Sequence, residues 1–344
     1  MKIILSFMVL LISTSSYAQV GGERVFNFLN MTTSARQAAL GGEILTLTDD
    51  ISQPLWNPSM INAEIDNKVG LNYVDFLTDI NYGSLSFAHL FTRRTGTFHA
   101  GITFVDYGKL IAADEQGNET GTFKARDLAF QLGYAYQLPS QNFYVGANLK
   151  FINSTIENFS SNGIAADFAL TYYDENKPYM FTAVVRNIGS QISAFDEERE
   201  KLPLDVAIGA SYKLEHIPLR WHMTLNSLQR WKIGVPNPSD SQTSIGGETT
   251  NDEVSFLSNA IRHVSVGAEF FPDQGFNLRL GYNFRRAREL RLIDSRTFAG
   301  FTAGFGLKMG RFKLNYAFSK FHPETNTNTF SLNIDLAREG LKRY

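Results

Sequence analysis

The sequence predicts an all-β fold: a 14-stranded antiparallel transmembrane β-barrel with an N-terminal hatch, or plug, that contains a short helix. Three observations predict it: a two-residue hydrophobic rhythm that recurs from Val69 almost to the C-terminus, an export signal, and connections that alternate between short and long. Successive side chains of a strand point to opposite faces, so each rhythmic run is a strand with one apolar face. Behind an export signal, this pattern is typical of outer-membrane barrels.

The first residues predict a signal peptide over 1–18. Lys2 supplies the charge, Ile3 to Ile12 form a short apolar stretch, and Ser16-Tyr17-Ala18 is a small-residue cleavage site. The apolar stretch is too short to cross a bilayer as a helix, and no later run is long enough. We therefore expect the mature chain to be exported and to reside in the outer membrane of a Gram-negative cell.

The composition agrees with a barrel and excludes other classes. The chain has 344 residues with 27 Gly, 28 Phe and 14 Tyr. The mean hydropathy of −0.17 does not argue for a soluble protein, because alternation hides the apolar face of a barrel wall in any average. The absence of Cys excludes disulfides and thiolate metal sites. A net charge of −2 argues against nucleic acid as a partner, and nothing in the sequence calls for a cofactor.

Alternation and turn residues together predict fourteen strands, an even count that suits a bacterial outer-membrane barrel. They are predicted over 69–78, 80–92, 96–107, 127–138, 142–154, 161–173, 178–188, 203–214, 218–227, 261–272, 275–285, 297–309, 311–321 and 327–336. The barrel is thus expected over 67–337, followed by a non-alternating C-terminal tail over 338–344.

The alternation also predicts which side chains face the lumen. Val145, Leu149 and Phe151 are expected to face lipid, with their neighbours turned inward. The polar residues expected inside are Asn148, Lys150, Asp167, Ser265, Glu269, Arg279 and Lys308. Since both signs of charge occur among them, they suggest internal pairing rather than the single-sign ring of a selective pore.

The connections give an independent indication of orientation. After the first hairpin, short turns alternate with longer loops, the longer ones at 108–126, 155–162, 189–202, 228–260 and 286–296. Outer-membrane barrels have short periplasmic turns and long extracellular loops, so the long loops are predicted to be extracellular. The first hairpin, near Thr78, is tight and breaks the parity.

Residues 19–66 do not alternate and predict a separate hatch ahead of the barrel. Ser34 closes a run of N-cap residues, Ala35 to Leu40 favour a helix, and Gly41-Gly42 is a stop signal. Asn57-Pro58 is a turn former. A fourteen-stranded lumen is too wide for wall side chains to fill alone, so a plug is physically expected.

The N-terminal motifs resemble the PorV/PorQ family of FadL-like outer-membrane barrels, and PorQ-like members most of all. The resemblance rests on an ordered set of motifs over Phe26 to Pro58 and on Leu202 to Gly209 ahead of a later strand. The motif residues, which it implies to be hatch architecture without a catalytic role, are Ser34, Ala35, Arg36, Gly41, Gly42, Asp49, Asp50, Asn57 and Pro58.

This resemblance implies a function that the residue pattern alone does not give. PorQ-like chains belong to the attachment complex of the type IX secretion system, together with PorZ, PorU and PorV. The complex removes the C-terminal signal of exported cargo and joins the cargo to anionic lipopolysaccharide. PorU carries the peptidase chemistry, so a PorQ-like chain is expected to anchor a PorZ-like surface partner without being an enzyme.

Two loop regions are candidate contacts for that partner or for lipopolysaccharide. The longest predicted loop carries exposed apolar residues, which favour a docking surface. An arginine-rich loop near the C-terminus fits phosphate or carboxylate, since arginine binds both bidentately. The candidate contact residues are Trp231, Ile233, Val235, Phe256, Arg286, Arg288 and Arg291.

Other interpretations of the sequence remain open at this stage. Asp49 and Asp50 could bind a divalent cation, but a lone pair lacks the ligand-rich loop that calcium needs, and either a solvated hatch turn or an ion pair to Arg36 is favoured. His263 and Ser265 could form a base and nucleophile in a barrel enzyme, the weakest hypothesis. The alternative to anchorage is a FadL-like channel that takes up hydrophobic small molecules. It would need an apolar pocket between hatch and wall, whereas a lumen of paired charges would favour the anchor.

Overall fold

The structure is a computed structural model that describes a defined part of the chain. The described residues are 24–92, 96–139, 142–196, 198–234, 242–243, 249–250, 254–290, 298–320 and 325–337. The predicted signal peptide, the predicted C-terminal tail, Val235 and Arg291 lie outside these residues.

Fourteen antiparallel strands close into a barrel, and the first strand pairs with the last. The barrel strands are β1 (Lys68–Leu77), β2 (Ile80–Thr92), β3 (Gly96–Ala113), β4 (Glu119–Gln137), β5 (Phe143–Ile156), β6 (Phe159–Tyr173), β7 (Tyr179–Ser193), β8 (Asp205–Lys213), β9 (Leu219–Leu225), β12 (Val264–Phe270), β13 (Phe276–Asn283), β14 (Phe301–Met309), β15 (Phe312–Ser319) and β16 (Thr327–Asp335). A two-residue hairpin, β10 (Gln242–Thr243) and β11 (Thr249–Thr250), interrupts the series. The predicted fold class and the count of fourteen wall strands are confirmed.

The wall is taller on one side than on the other. Strands β3 to β7 have 14 to 19 residues, whereas β8, β9 and β12 to β16 have seven to nine. The extra length lies at the end where β1 joins β2, which we call the long-loop end; the opposite end is the short-turn end. At the long-loop end the predicted loops 108–126 and 155–162 are wrong, because the strands continue to short turns at 114–118 and 157–158. Beyond the lipid belt a strand no longer needs an apolar outer face, so the alternation fades while the hydrogen-bonded ladder continues.

The faces of the strands are as the alternation predicts, with one exception. Val145, Leu149 and Phe151 are exposed on the outer face. The inner residues Asn148, Lys150, Asp167, Ser265, Glu269 and Arg279 are buried. Lys308 is the exception: it is exposed and lines a cavity at the short-turn end, because β14 is about to leave the wall there.

The hatch lies inside the barrel. Its helix α1 (Ala35–Ala39), which the sequence predicts, packs against β13 to β16 and ends at Gly41 and Gly42, whose φ angles are +103° and +92°. Short 3₁₀ turns follow at Gln53–Leu55, Pro58–Met60 and Ala63–Ile65, and the turn at Pro58 packs against β4 to β6. The hatch therefore bridges opposite sides of the wall.

Two short helices lie at the long-loop end, α2 (Phe256–Arg262) and α3 (Phe284–Glu289). Both follow a polar N-cap: Ser255 accepts a hydrogen bond from the N–H of Ser258, and Asn283 accepts one from that of Arg286. No helix in the described part of the chain has the length and apolar character needed to cross a membrane.

Candidate functional site: the plugged lumen and the long-loop surface

The centre of the lumen is an ion network between the hatch and the wall. Arg36 of α1 pairs with Glu269 of β12 at 2.8 Å, and Glu269 pairs with Arg279 of β13 at 2.8 Å. The side chains of these three residues are 1%, 0% and 0% exposed. The Glu269 carboxylate accepts hydrogen bonds from both guanidinium groups, and buried charges need such partners to offset the loss of their hydration. Arg36 is thus the main polar link between the helix and the wall.

Asp49 extends this network toward the short-turn end. It accepts from Arg36 at 2.6 Å, which is one of the two alternatives that the sequence leaves open, and from Lys313 of β15 at 3.3 Å. Burial opposes the charge of Asp49, but the attraction of Arg36 and Lys313 prevails and holds its pKa well below the usual range. Asp50 instead accepts the N–H of Ser52 at 2.9 Å. The two aspartates are therefore engaged within the protein rather than arranged around an open cation site.

Two further buried ion pairs line the opposite side of the wall. Lys150 of β5 pairs with Asp167 of β6 at 2.8 Å, and Arg186 of β7 pairs with Asp205 of β8 at 2.5 Å. The guanidinium of Arg186 also lies 3.8 Å from the ring centre of Trp56 in the hatch, a cation–π contact. Charges of both signs are thus paired inside the lumen.

Three further motif residues, Ala35, Gly41 and Asn57, donate hydrogen bonds from the hatch to the wall, and a fourth, Ser34, bonds within the hatch. The backbone N–H of Ala35 donates to Ser331 Oγ at 2.8 Å, and that of Gly41 donates to Thr302 Oγ1 at 3.0 Å. Asn57 donates to Thr182 Oγ1 at 3.0 Å. Ser34 donates to Asp50 at 3.3 Å, a hydrogen bond between two parts of the hatch.

Glycines on the inner face of the wall make room for the hatch backbone. A Cβ atom on Gly146 of β5 would collide with the backbone of Pro58 and Ser59. A Cβ on Gly267 of β12 would lie 2.7 Å from the carbonyl oxygen of Leu40. These positions need glycine because the plug and the wall approach each other at backbone distance.

Two cavities lie at opposite ends of the lumen. The cavity at the short-turn end measures about 340 Å³ and is lined by charged residues such as Asp49, Glu64, Lys213 and Arg220. The cavity at the long-loop end measures about 230 Å³ and is lined by Arg24, Asn30, Asp205 and Arg285, among others. Between them, the hatch residues Ile44, Leu47 and Ile51 are fully buried. Both cavities are therefore polar vestibules on either side of a packed plug.

The first candidate contact region forms an exposed aromatic surface at the long-loop end. Trp231 is 45% exposed and packs against Phe256, which is 73% exposed, with 4.8 Å between the ring centres and the rings tilted by 31°. Phe298 is 82% exposed at the same end. Ile233, in contrast, is only 4% exposed, and its N–H donates to Asn259 at 3.1 Å. Trp231 and Phe256 are thus available to a partner, whereas Ile233 packs inside the loop.

The second candidate region, the arginine cluster, divides into inward and outward groups. The Arg286 guanidinium lies against Gly42 of the hatch, and burial lowers the pKa of Arg286. Arg288 is exposed on α3, while Arg285 pairs with Glu289 at 2.7 Å. Within α3, Arg288 is therefore the arginine that faces solvent.

His263 and Ser265 do not form a base–nucleophile pair. The two ring nitrogens of His263 contact the carbonyl oxygens of Asn226 at 2.7 Å and of Trp231 at 3.1 Å. Ser265 donates to Glu43 of the hatch at 3.1 Å. Both side chains hold the long-loop end together.

The closed fourteen-stranded wall and the internal hatch define a FadL-like fold. The monoaromatic hydrocarbon channel TodX, in a deletion mutant, is 14% identical, with a TM-score of 0.54 and coverage of 88% of this chain and 97% of that one. The toluene transporter TbuX of Ralstonia pickettii is 13% identical, with a TM-score of 0.52 and coverage of 90% and 98%. A Pseudomonas aeruginosa FadL homologue gives 10% identity, a TM-score of 0.49 and coverage of 89% and 99%.

TodX is described as a channel and TbuX as a transporter. At such low identity the likeness concerns the fold alone. No protein-family model and no curated protein matches the sequence.

Proposed function

We propose that the chain is an outer-membrane component of the type IX secretion attachment complex, where it anchors a PorZ-like surface protein alongside PorU and PorV. The observation that carries this proposal is the lumen, which the hatch fills and in which charges are paired. Arg36, Glu269 and Arg279 lie where a conduit for apolar molecules would need an apolar route. A barrel that stays shut can serve as a membrane anchor while cargo is processed and attached to lipopolysaccharide.

Two other features support anchorage. The motifs between Phe26 and Pro58 resemble the PorV/PorQ family, and they build the plug rather than a transport route. The exposed pair Trp231 and Phe256 offers an aromatic surface of the kind that is enriched in protein interfaces. With the long loops placed outside the cell, this surface would meet a partner at the cell surface.

Affinity purification from detergent-solubilised outer membranes tests the anchor. A tagged wild-type chain should recover a large surface partner, and the double variant Trp231→Ala/Phe256→Ala should recover much less of it. The matched control is Trp221→Ala/Phe276→Ala, which removes a tryptophan and a phenylalanine from the lipid-facing wall. Recovery of no partner by the wild type, or equal loss in the control, would contradict the proposal.

The second candidate is uptake of hydrophobic small molecules, and the solved structures support it better than they support anchorage. TodX and TbuX are named for monoaromatic hydrocarbons and toluene, and they match almost the whole chain. For uptake, the hatch would have to move to open a route through the lumen. The two polar cavities would form the ends of that route.

A deletion strain separates the two functions. Retention of unprocessed secreted cargo with unchanged toluene uptake would support anchorage. Normal cargo processing with slowed toluene uptake would support the channel and overturn the anchor. The gene restored in the same strain must reverse whichever defect is seen.

A further inference from the structure

Strands β3 and β4 place two lysines directly opposite each other on the outer wall. Lys109 is the cross-strand partner of Lys124, and both side chains are exposed. Lys124 shares the outer face of β4 with Arg126 and Leu128, two and four residues further along the strand. Like charges in directly opposed positions destabilise a strand pair, so an anion bound between the two lysines would stabilise this part of the wall.

The acids near this pair leave both lysines uncompensated. Asp106 is committed to Arg126, at 3.2 Å. Asp79 lies near Gly108 and Glu157 lies near Lys124, where its backbone N–H donates to the carbonyl oxygen of Lys124 at 2.9 Å, but neither carboxylate forms an ion pair with a lysine of the pair. Among the described residues, no carboxylate forms an ion pair with Lys109 or Lys124.

The pair stands at the edge of the apolar belt. Leu128 is the last exposed apolar residue on the outer face of β4 before the cations, whereas on β3 Phe104 precedes Lys109 and Ile111, 62% exposed, follows it on the same face. At about 3.3 Å per residue, Lys124 lies roughly 13 Å along the strand beyond Leu128. With a strand tilt of about 40°, that is roughly 10 Å above it. Arg126 falls about halfway, and lysine stems can bend toward the bilayer, which places all three cations at headgroup level.

We propose that Lys109, Lys124 and Arg126 bind a phosphate group of an anionic lipid headgroup at the long-loop boundary of the membrane. A phosphate between the two lysines offsets their repulsion, and Arg126 contributes donors from the side nearer the bilayer. Because the site lies on the outer wall, it is separate from the lumen and from the aromatic surface of Trp231. The proposal does not depend on whether the protein is an anchor or a channel.

Binding of diphosphoryl lipid A to the folded full-length protein in dodecyl maltoside micelles tests the site. Each lysine near a charged headgroup contributes about fivefold, so Lys109→Gln/Lys124→Gln should bind roughly 25-fold more weakly. The matched control Lys177→Gln/Lys213→Gln removes two exposed lysines at the short-turn end and should bind like the wild type. An unchanged affinity in the first variant, or an equal loss in the control, would overturn the proposal.

Two further arms need no variant and identify the source of the phosphate. The wild type should bind diphosphoryl lipid A more tightly than dephosphorylated lipid A, and equal affinity for the two would refute the site. Inorganic phosphate should displace diphosphoryl lipid A no better than chloride at equal ionic strength. Stronger displacement by phosphate would show a site for the free anion instead of a lipid headgroup.

Discussion

At the scale of single residues, Arg36 joins the hatch to the wall. Its guanidinium reaches Glu269 on the wall and Asp49 within the hatch, and it is almost completely buried. The sequence offers the ion pair between Arg36 and the aspartates of the hatch as one of two alternatives, the other being a solvated turn. It does not predict Glu269 as the partner, because the contact joins residues 233 positions apart and alternation gives only the face on which a residue lies.

Glu269→Gln should destabilise the seated hatch strongly. The substitution leaves Arg36 and Arg279 buried together without their shared carboxylate, a change that typically costs about 3–5 kcal/mol. We expect a lower midpoint of thermal unfolding, measured by gel mobility of the heated protein, and faster proteolysis of the hatch. Glu289→Gln, which breaks an exposed ion pair of α3, is the control and should change little. Equal behaviour of the two variants would contradict the assigned role of Glu269.

Asp49 should make the seating of the hatch dependent on pH. Its pKa in the folded protein is lowered, so its charge stabilises the hatch above the unfolded-state value of about 4. This contribution is lost as the pH falls through the lower folded-state pKa. Asp49→Asn should therefore be less stable than the wild type at neutral pH, with the difference shrinking on acidification. Thermal midpoints measured across the acid range check this, with the exposed Glu115→Gln as control; parallel curves for Asp49→Asn and the wild type would refute it.

At the scale of elements, the wall and the hatch fit through small residues. The alternation places Gly146 and Gly267 on the inner face, but it gives no reason why glycine stands there. That reason comes from the hatch backbone, which approaches β5 at Pro58 and β12 at Leu40. Sequence patterns describe a strand well, whereas the contact between two elements depends on how each one is placed.

Gly146→Ala should unseat part of the hatch. The new methyl group meets the backbone of Pro58 and Ser59, which cannot move aside as a flexible side chain can. We expect the 3₁₀ turn at Pro58–Met60 to become accessible to protease while the barrel still migrates as folded. Ala147→Val on the lipid-facing side of the same strand is the control. If the turn is protected from protease equally in Gly146→Ala and in the control, the wall can accommodate a Cβ atom at this position and the prediction is wrong.

The prediction of two long loops is wrong because the strands there extend beyond the lipid belt. The sequence from Gly108 to Arg126 loses its alternation, yet β3 and β4 continue to a turn in which Asp114 accepts the N–H groups of Gln116 and Asn118. Periodicity reports where a strand meets lipid on one side. It does not report where the strand ends.

At the scale of the whole molecule, we expect the hatch to determine whether the barrel conducts. Deletion of residues 24–66, with the export signal retained, should leave a wide lumen lined by Lys150, Asp167, Glu269 and Arg279. Planar bilayers should then show large conductance steps that the wild type lacks, because a fourteen-stranded lumen without its plug holds water. Heat-modified gel mobility must confirm that the variant is folded. Similar conductance with and without the hatch would contradict the sealed lumen.

The contacts of the hatch also bear on how the barrel is built. The helix α1 packs on β13 to β16, the last strands of the chain, while the turn at Pro58 packs on β4 to β6. The hatch precedes every wall strand in the sequence, yet α1 can gain its contacts only after β13 to β16 have joined the wall. The hatch therefore reaches its final position late in the assembly of the barrel.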